Sequence, residues 1–73
     1  MPRLPRVTAK QIIAILEKRG FVFSRQSGSH MIFKKDKKRV TVSFHGATIL
    51  HPKVLKSILR DADINPHEFE EML

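Results

Sequence analysis

The chain carries four histidines, His30, His45, His51 and His67, and no cysteine. Histidine is the side chain whose charge changes nearest neutral pH, so it is the first candidate for moving a proton in a reaction. His30 stands in the run Ser29-His30-Met31-Ile32-Phe33-Lys34, and His45 closes Arg39-Val40-Thr41-Val42-Ser43-Phe44-His45. Hydroxyls (Ser29, Ser43) and cations (Lys34, Arg39) therefore accompany both. Such a set suits a phosphodiester. A neutral imidazole accepts the proton of an attacking hydroxyl, cations hold the charge that builds on the phosphate oxygens, and the serines orient the ring or the phosphate. RNA brings its own attacking group, the 2′-hydroxyl, so this chemistry needs neither a metal nor a cofactor. One imidazole cannot serve as base and acid in the same step; water or His45 then protonates the leaving oxygen.

Each residue also has a plainer use. His30 suits an edge strand on which it only stacks or hydrogen-bonds, and His45 a strand end at the surface. His51 precedes Pro52 and suits helix capping, while His67 falls on an acidic helix. A metal site made of His30, His45 and His51 has no cysteine, no helical H-x-x-x-H spacing and no nearby carboxylates to support it.

Charge narrows the partner. The formal net charge is +7, but residues 1–60 hold all 14 Lys and Arg against Glu17 and Asp36, a balance of +12, while residues 61–73 hold five acids and no base, a balance of −5. So basic a body attracts polyanions through its long-range field and through counterion release, which makes RNA the leading partner. Anionic membrane fits less well, since no basic amphipathic helix carries aromatic anchors and no apolar run is long enough to span a bilayer. Met1-Pro2-Arg3-Leu4-Pro5-Arg6 leads into no signal-like apolar stretch, and a cytoplasmic protein is the expectation. Lys35, Lys37, Lys38 and Arg39 around Asp36 suit either a solvated hairpin tip or an RNA backbone. Lys53, Lys56 and Arg60 fall on one stripe at helical spacing, which either grips phosphates or is the wet face of its helix.

The elements that must position these residues follow from periodicity. With 73 residues the chain has room for one domain, 1–73, and a thin core. Thr8 with Gln11 forms a capping box, Val7 staples to Ile12, and a helix starts at Ala9 with Ile12, Ile13 and Leu16 inward; Gly20 ends it. Phe21 to Arg25 reads as a strand, Gln26-Ser27-Gly28 as a turn, Ser29 to Lys34 as a second strand, Lys35 to Lys38 as a connection, and Arg39 to His45 as a third strand. Pairing Lys34 with Arg39 puts Met31, Phe33, Val40, Val42 and Phe44 on a core face and His30, Ile32, Thr41, Ser43 and His45 on the other. A slip by one residue buries hydroxyls and histidine, so the apolar pattern itself places His30 on an accessible surface. A second helix begins at Pro52, with Val54, Leu55, Ile58, Leu59 and Ala62 as its apolar face. Asn65, Pro66 and Glu68 start a short third one that buries Phe69, Met72 and Leu73.

This order, one helix, a three-stranded antiparallel sheet, a helix and a short C-terminal helix, describes an α+β layer like the double-stranded-RNA-binding domain. Gly20-Phe21, then Arg25-Gln26-Ser27-Gly28-Ser29-His30-Met31-Ile32-Phe33, then Val40-Thr41-Val42 with His45, then Leu55-Lys56-Ser57-Ile58-Leu59-Arg60 resembles the HicA-type (YcfA-like) toxins, in that order and spacing, over nearly the whole chain. The resemblance implies a metal-independent endoribonuclease, an mRNA interferase, which a HicB-type antitoxin neutralises and whose catalytic histidine matches His30. It departs at Ser43, where the family often has proline, and at Asp63, where glycine commonly follows the second helix. Ser29, Lys34, Arg39, Ser43, His45, Lys53, Lys56 and Arg60 are the candidate RNA-binding residues. Two other functions fit the same residues, a non-catalytic RNA-binding module and a basic subunit whose task is to bind an acidic partner protein.

Overall fold

The computed structural model describes residues 5–44 and 49–73. The first helix, α1 (Ala9–Lys18), starts as its sequence predicts. The Gln11 N–H donates to Thr8 Oγ1 at 3.3 Å and the Thr8 N–H donates to Gln11 Oε1 at 2.9 Å, so two donors that a helix start leaves open are satisfied reciprocally. At its other end the Gly20 N–H donates to the Glu17 carbonyl and the Phe21 N–H to the Leu16 carbonyl, both at 3.0 Å. Gly20 takes φ 94° there, a backbone position that a side chain resists. Ala9, Ile12, Ile15 and Leu16 are buried and Ile13 only partly so, which turns the inward stripe by a fraction of a turn from the one expected.

The three strands are β1 (Val22–Ser27), β2 (His30–Lys35) and β3 (Lys38–Ser43), antiparallel in the order β1-β2-β3. The β2–β3 register is the predicted one, with His30 opposite Ser43, Met31 opposite Val42, Ile32 opposite Thr41, Phe33 opposite Val40 and Lys34 opposite Arg39. The turns differ from expectation. Pairing continues to Lys35 opposite Lys38, so Asp36-Lys37 alone makes the connection, with Asp36 at φ 54°, a conformation aspartate accepts better than most side chains. Gln26 and Ser27 belong to β1, and Gly28-Ser29 is the turn, with Gly28 at φ 59°. The Gln26 amide donates to the Gly28 carbonyl at 2.9 Å and supports it. β3 ends at Ser43; Phe44, expected in the core, is 36% exposed.

The second helix, α2 (Pro52–Ala62), is capped by His51, whose Nδ1 accepts from the Lys53 N–H at 3.1 Å, the helix-entry role considered for it. Its end repeats the closure of α1, with Asp63 in place of glycine at φ 59°. The Asp63 N–H donates to the Arg60 carbonyl at 3.1 Å and the Ile64 N–H to the Leu59 carbonyl at 2.9 Å. The third helix, α3 (Pro66–Met72), is capped by Asn65 Oδ1, which accepts from the His67 N–H at 2.8 Å. It buries Phe69 fully and Met72 in part, while Leu73 is exposed rather than buried.

Helices α1 and α2 pack over β3 on one face of the sheet. The core between them holds Val7, Ile12, Leu16, Phe33, Val40, Val42, Leu55, Leu59 and Phe69, all essentially inaccessible. The segments that precede the two helices are tied together, with Thr8 bridged to Ile49 and the Leu50 N–H donating to the Val7 carbonyl at 2.8 Å. The result is a flat body of 33 × 26 × 17 Å with one sheet face covered and the other open. No described helix is long and apolar enough to cross a membrane.

Candidate nucleic-acid interface

The register sorts the open face into three cross-strand rows. Ser27, His30 and Ser43 form the first, Arg25, Ile32 and Thr41 the second, and Val22, Lys34 and Arg39 the third. His30 is exposed, with an exposed serine on one side and a half-buried one on the other. A serine therefore neighbours it across the sheet on each side, at the strand spacing of about 5 Å. Ile32, which alternation places on this side, is only 9% exposed. Apart from Val22, exposed at the far end of the third row, the face around it is hydroxyl, imidazole and cation. None of its nine positions is acidic, and Arg25, Lys34 and Arg39 make no ion pair among the described residues.

Cations elsewhere are engaged differently. Lys35 Nζ donates to the Arg19 carbonyl at 2.6 Å, closing the end of α1. Lys38 Nζ lies 3.3 Å from Asp63 Oδ2, Arg19 lies 3.2 Å from Glu68, and Arg60 is 3.9 Å from Asp61. The acidic residues 61–73 thus return part of their charge to the helix side and the hairpin edge, while the cations of the open sheet face have no acidic partner among the described residues. Of the four cations read as one hairpin tip, Lys35 bonds to the end of α1 and Lys38 pairs with Asp63 at the surface, and Lys37 and Arg39 have no carboxylate within pairing distance among the described residues.

The predicted site residues divide between two surfaces. His30, Lys34, Arg39 and Ser43 share the open sheet face, and Ser29 adjoins it in the turn, its carbonyl accepting from the Phe44 N–H at 2.7 Å. Lys53, Lys56 and Arg60 are exposed on the side of α2 opposite Leu55, Ile58, Leu59 and Ala62, which face the sheet. They therefore lie across the helix layer from His30. With Ser57, Leu59, Ile64 and Pro66 they line a groove of about 360 Å³ between α2 and α3. His45 lies outside the described residues. No group of three or more histidine or carboxylate side chains is placed to hold a metal among the described residues.

Sequence reasoning passed over Arg25 and Ser27. Both belong to the open face, and the signal for them was the Gly28-Ser29 turn, which pairs Ser27 with His30 once it is placed.

Comparison with known protein families decides the relationship. The family model described as the HicA toxin of bacterial toxin–antitoxin systems matches residues 9–64, from the start of α1 to just beyond α2. The chain belongs to the HicA toxin family. As a HicA toxin it is the toxin component of a toxin–antitoxin system and so has an antitoxin partner. The match spans all three strands and both larger helices, hence every row of the open face, and leaves only α3 beyond it. No curated protein matches the chain.

Proposed function

We propose that this HicA toxin is a metal-independent endoribonuclease that cleaves mRNA in the cytoplasm, acting as one domain over residues 1–73, with His30 as its general base. The observation that carries this is an exposed histidine between two serines on an acid-free sheet face whose cations make no ion pair among the described residues. Neutral His30 takes the proton of a 2′-hydroxyl, the 2′-oxygen bonds to phosphorus, and the P–O5′ bond breaks with its electron pair on O5′, which water protonates. Ser27 and Ser43 hold the imidazole or a phosphate oxygen. A HicB-type antitoxin silences the toxin by covering this face, because one acidic or mixed-charge cover removes RNA binding and chemistry together.

The test is cleavage of an mRNA transcript by the purified protein in excess EDTA. Products ending in 2′,3′-cyclic phosphate, formed at an unchanged rate, are expected. Activity lost in EDTA and regained with a divalent ion overturns the mechanism.

The stripe on α2 has a separate expected signature. Lys53, Lys56 and Arg60 bind the backbone of RNA that is long enough to pass around the body, since they lie across the helix layer from His30. Replacing all three with alanine is expected to weaken a long RNA and to lower its salt slope by about one unit or less per residue, while an oligonucleotide of a few residues binds as before. Equal losses for both lengths would place the stripe and His30 on one continuous site.

A further inference from the structure

Lys34 and Arg39 carry charge on the open face, but they stand in the third row, and His30 stands in the first. Lys34 is four residues along β2 from His30, about 13 Å of extended strand. A lysine side chain does not bring its ammonium back to a phosphate held at the imidazole. Arg25 is in the second row, opposite Ile32, and Ile32 is two residues from His30 on the same face. That diagonal puts the two residues about 7 to 8 Å apart, and their Cβ atoms somewhat closer, within the span of an arginine side chain.

The strand is irregular at this point. Phe23 pairs with Phe33 and Arg25 with Ile32, so Ser24 is an extra residue that faces no partner of its own. Phe23 lies on the helix side, its ring 5.8 Å from that of Phe33 and nearly perpendicular to it, at 71°. In a regular strand, Phe23 on the helix side would send Arg25 to the helix side as well, since alternate residues share a face. The bulge at Ser24 lets the aromatic contact and the positive charge beside His30 coexist, and re-aiming one side chain is what bulges near functional sites commonly do.

We propose that Arg25 is the phosphate-binding residue of the His30 site, donating its guanidinium N–H groups to the non-bridging oxygens of the phosphate under attack. Its planar fork matches two such oxygens, and its charge offsets the one that the phosphorane gains as the 2′-oxygen adds. Lys34 and Arg39 then hold a neighbouring phosphate. This assignment rests on the RNA-cleaving role proposed above, and the measurements separate the two.

Binding is measured with an RNA that carries 2′-O-methyl groups and cannot be cleaved, and cleavage with the unmodified RNA of the same sequence. Arg25→Ala is expected to weaken binding about tenfold, to lower the salt slope by about one unit, and to slow cleavage by about 10²-fold. Arg25→Lys recovers part of the binding and less of the rate. The decisive variant exchanges neighbours, Arg25→Gln with Gln26→Arg, which conserves net charge and moves the cation to the row of Met31, on the helix side. It is expected to behave like Arg25→Ala, while Gln26→Ala alone, which loses only the exposed bond to the Gly28 carbonyl, stays within a fewfold of wild type. Thermal melting should change little throughout, because both positions are exposed. Wild-type binding and cleavage by Arg25→Ala, or by the exchanged pair, overturn the assignment. A wild-type protein that cuts no RNA removes the ribonuclease proposal, and the uncleavable RNA then still decides whether Arg25 binds phosphate.

Discussion

Replacing His30 with alanine is expected to lower the rate of RNA cleavage by about two to four orders of magnitude, the usual contribution of a positioned acid–base group. The same change should leave the fold alone. His30 is exposed at the start of β2, and its side chain takes part in no hydrogen bond among the described residues. Substitutions at such surface positions generally alter stability by no more than about 0.5 kcal/mol. Affinity for uncleavable RNA should also stay close to wild type, since the cations of the open face remain. Single-turnover cleavage, a binding titration and a thermal melt on one preparation separate these effects. Cleavage within tenfold of wild type would falsify His30 as the base, and a matching loss of binding would make it a docking residue.

Phe69→Ala is expected to lower the free energy of unfolding by about 3 to 5 kcal/mol, the range for removing a buried aromatic ring. In a domain of this size that corresponds to a fall in Tm of about 12 °C or more. The residue lies in α3, beyond the part of the chain that the family match covers, yet its exposure is 0% and it joins the main core cluster. A polar tie to α3, between Arg19 and Glu68, joins side chains 38% and 52% exposed. An exposed pair of that kind contributes about 1 kcal/mol at most, so Glu68→Gln should shift Tm far less than Phe69→Ala. Equal shifts, measured by thermal or denaturant unfolding, would mean that charge rather than packing holds α3.

Where the sequence was informative, both sides of a contact carried the same signal. Met31 and Phe33 share one face of β2 as Val40 and Val42 share one face of β3, so a slip by one residue would turn one of these pairs away from the core, and the same alternation placed His30 on the open face. The caps at Thr8, His51 and Asn65 were legible for a similar reason, because the accepting side chain and the donating backbone N–H are neighbours in the chain. β1 gave no such guidance. All of its positions are exposed and Ser24-Arg25-Gln26-Ser27 is polar throughout, so nothing in its pattern fixed where the strand ends or which side Arg25 takes. The division of cations between two surfaces was equally hidden. Lys34 and Lys53 look alike in a sequence, and only the packing of α2 over β3 puts the sheet and a helix layer between them.

The extra residue in β1 also bears on solubility. β1 forms an outer edge of the sheet and leaves Val22 67% and Phe23 50% exposed, so its unpaired N–H and C=O groups lie beside apolar side chains. A straight edge of that composition is a template on which another chain can add a strand and propagate aggregation. The irregularity at Ser24 interrupts the even spacing of those groups, and Arg25 adds a charge close by. An incoming strand can match the edge on one side of Ser24 or the other but not along its whole length, so the bulge that aims Arg25 also works against strand addition at this edge.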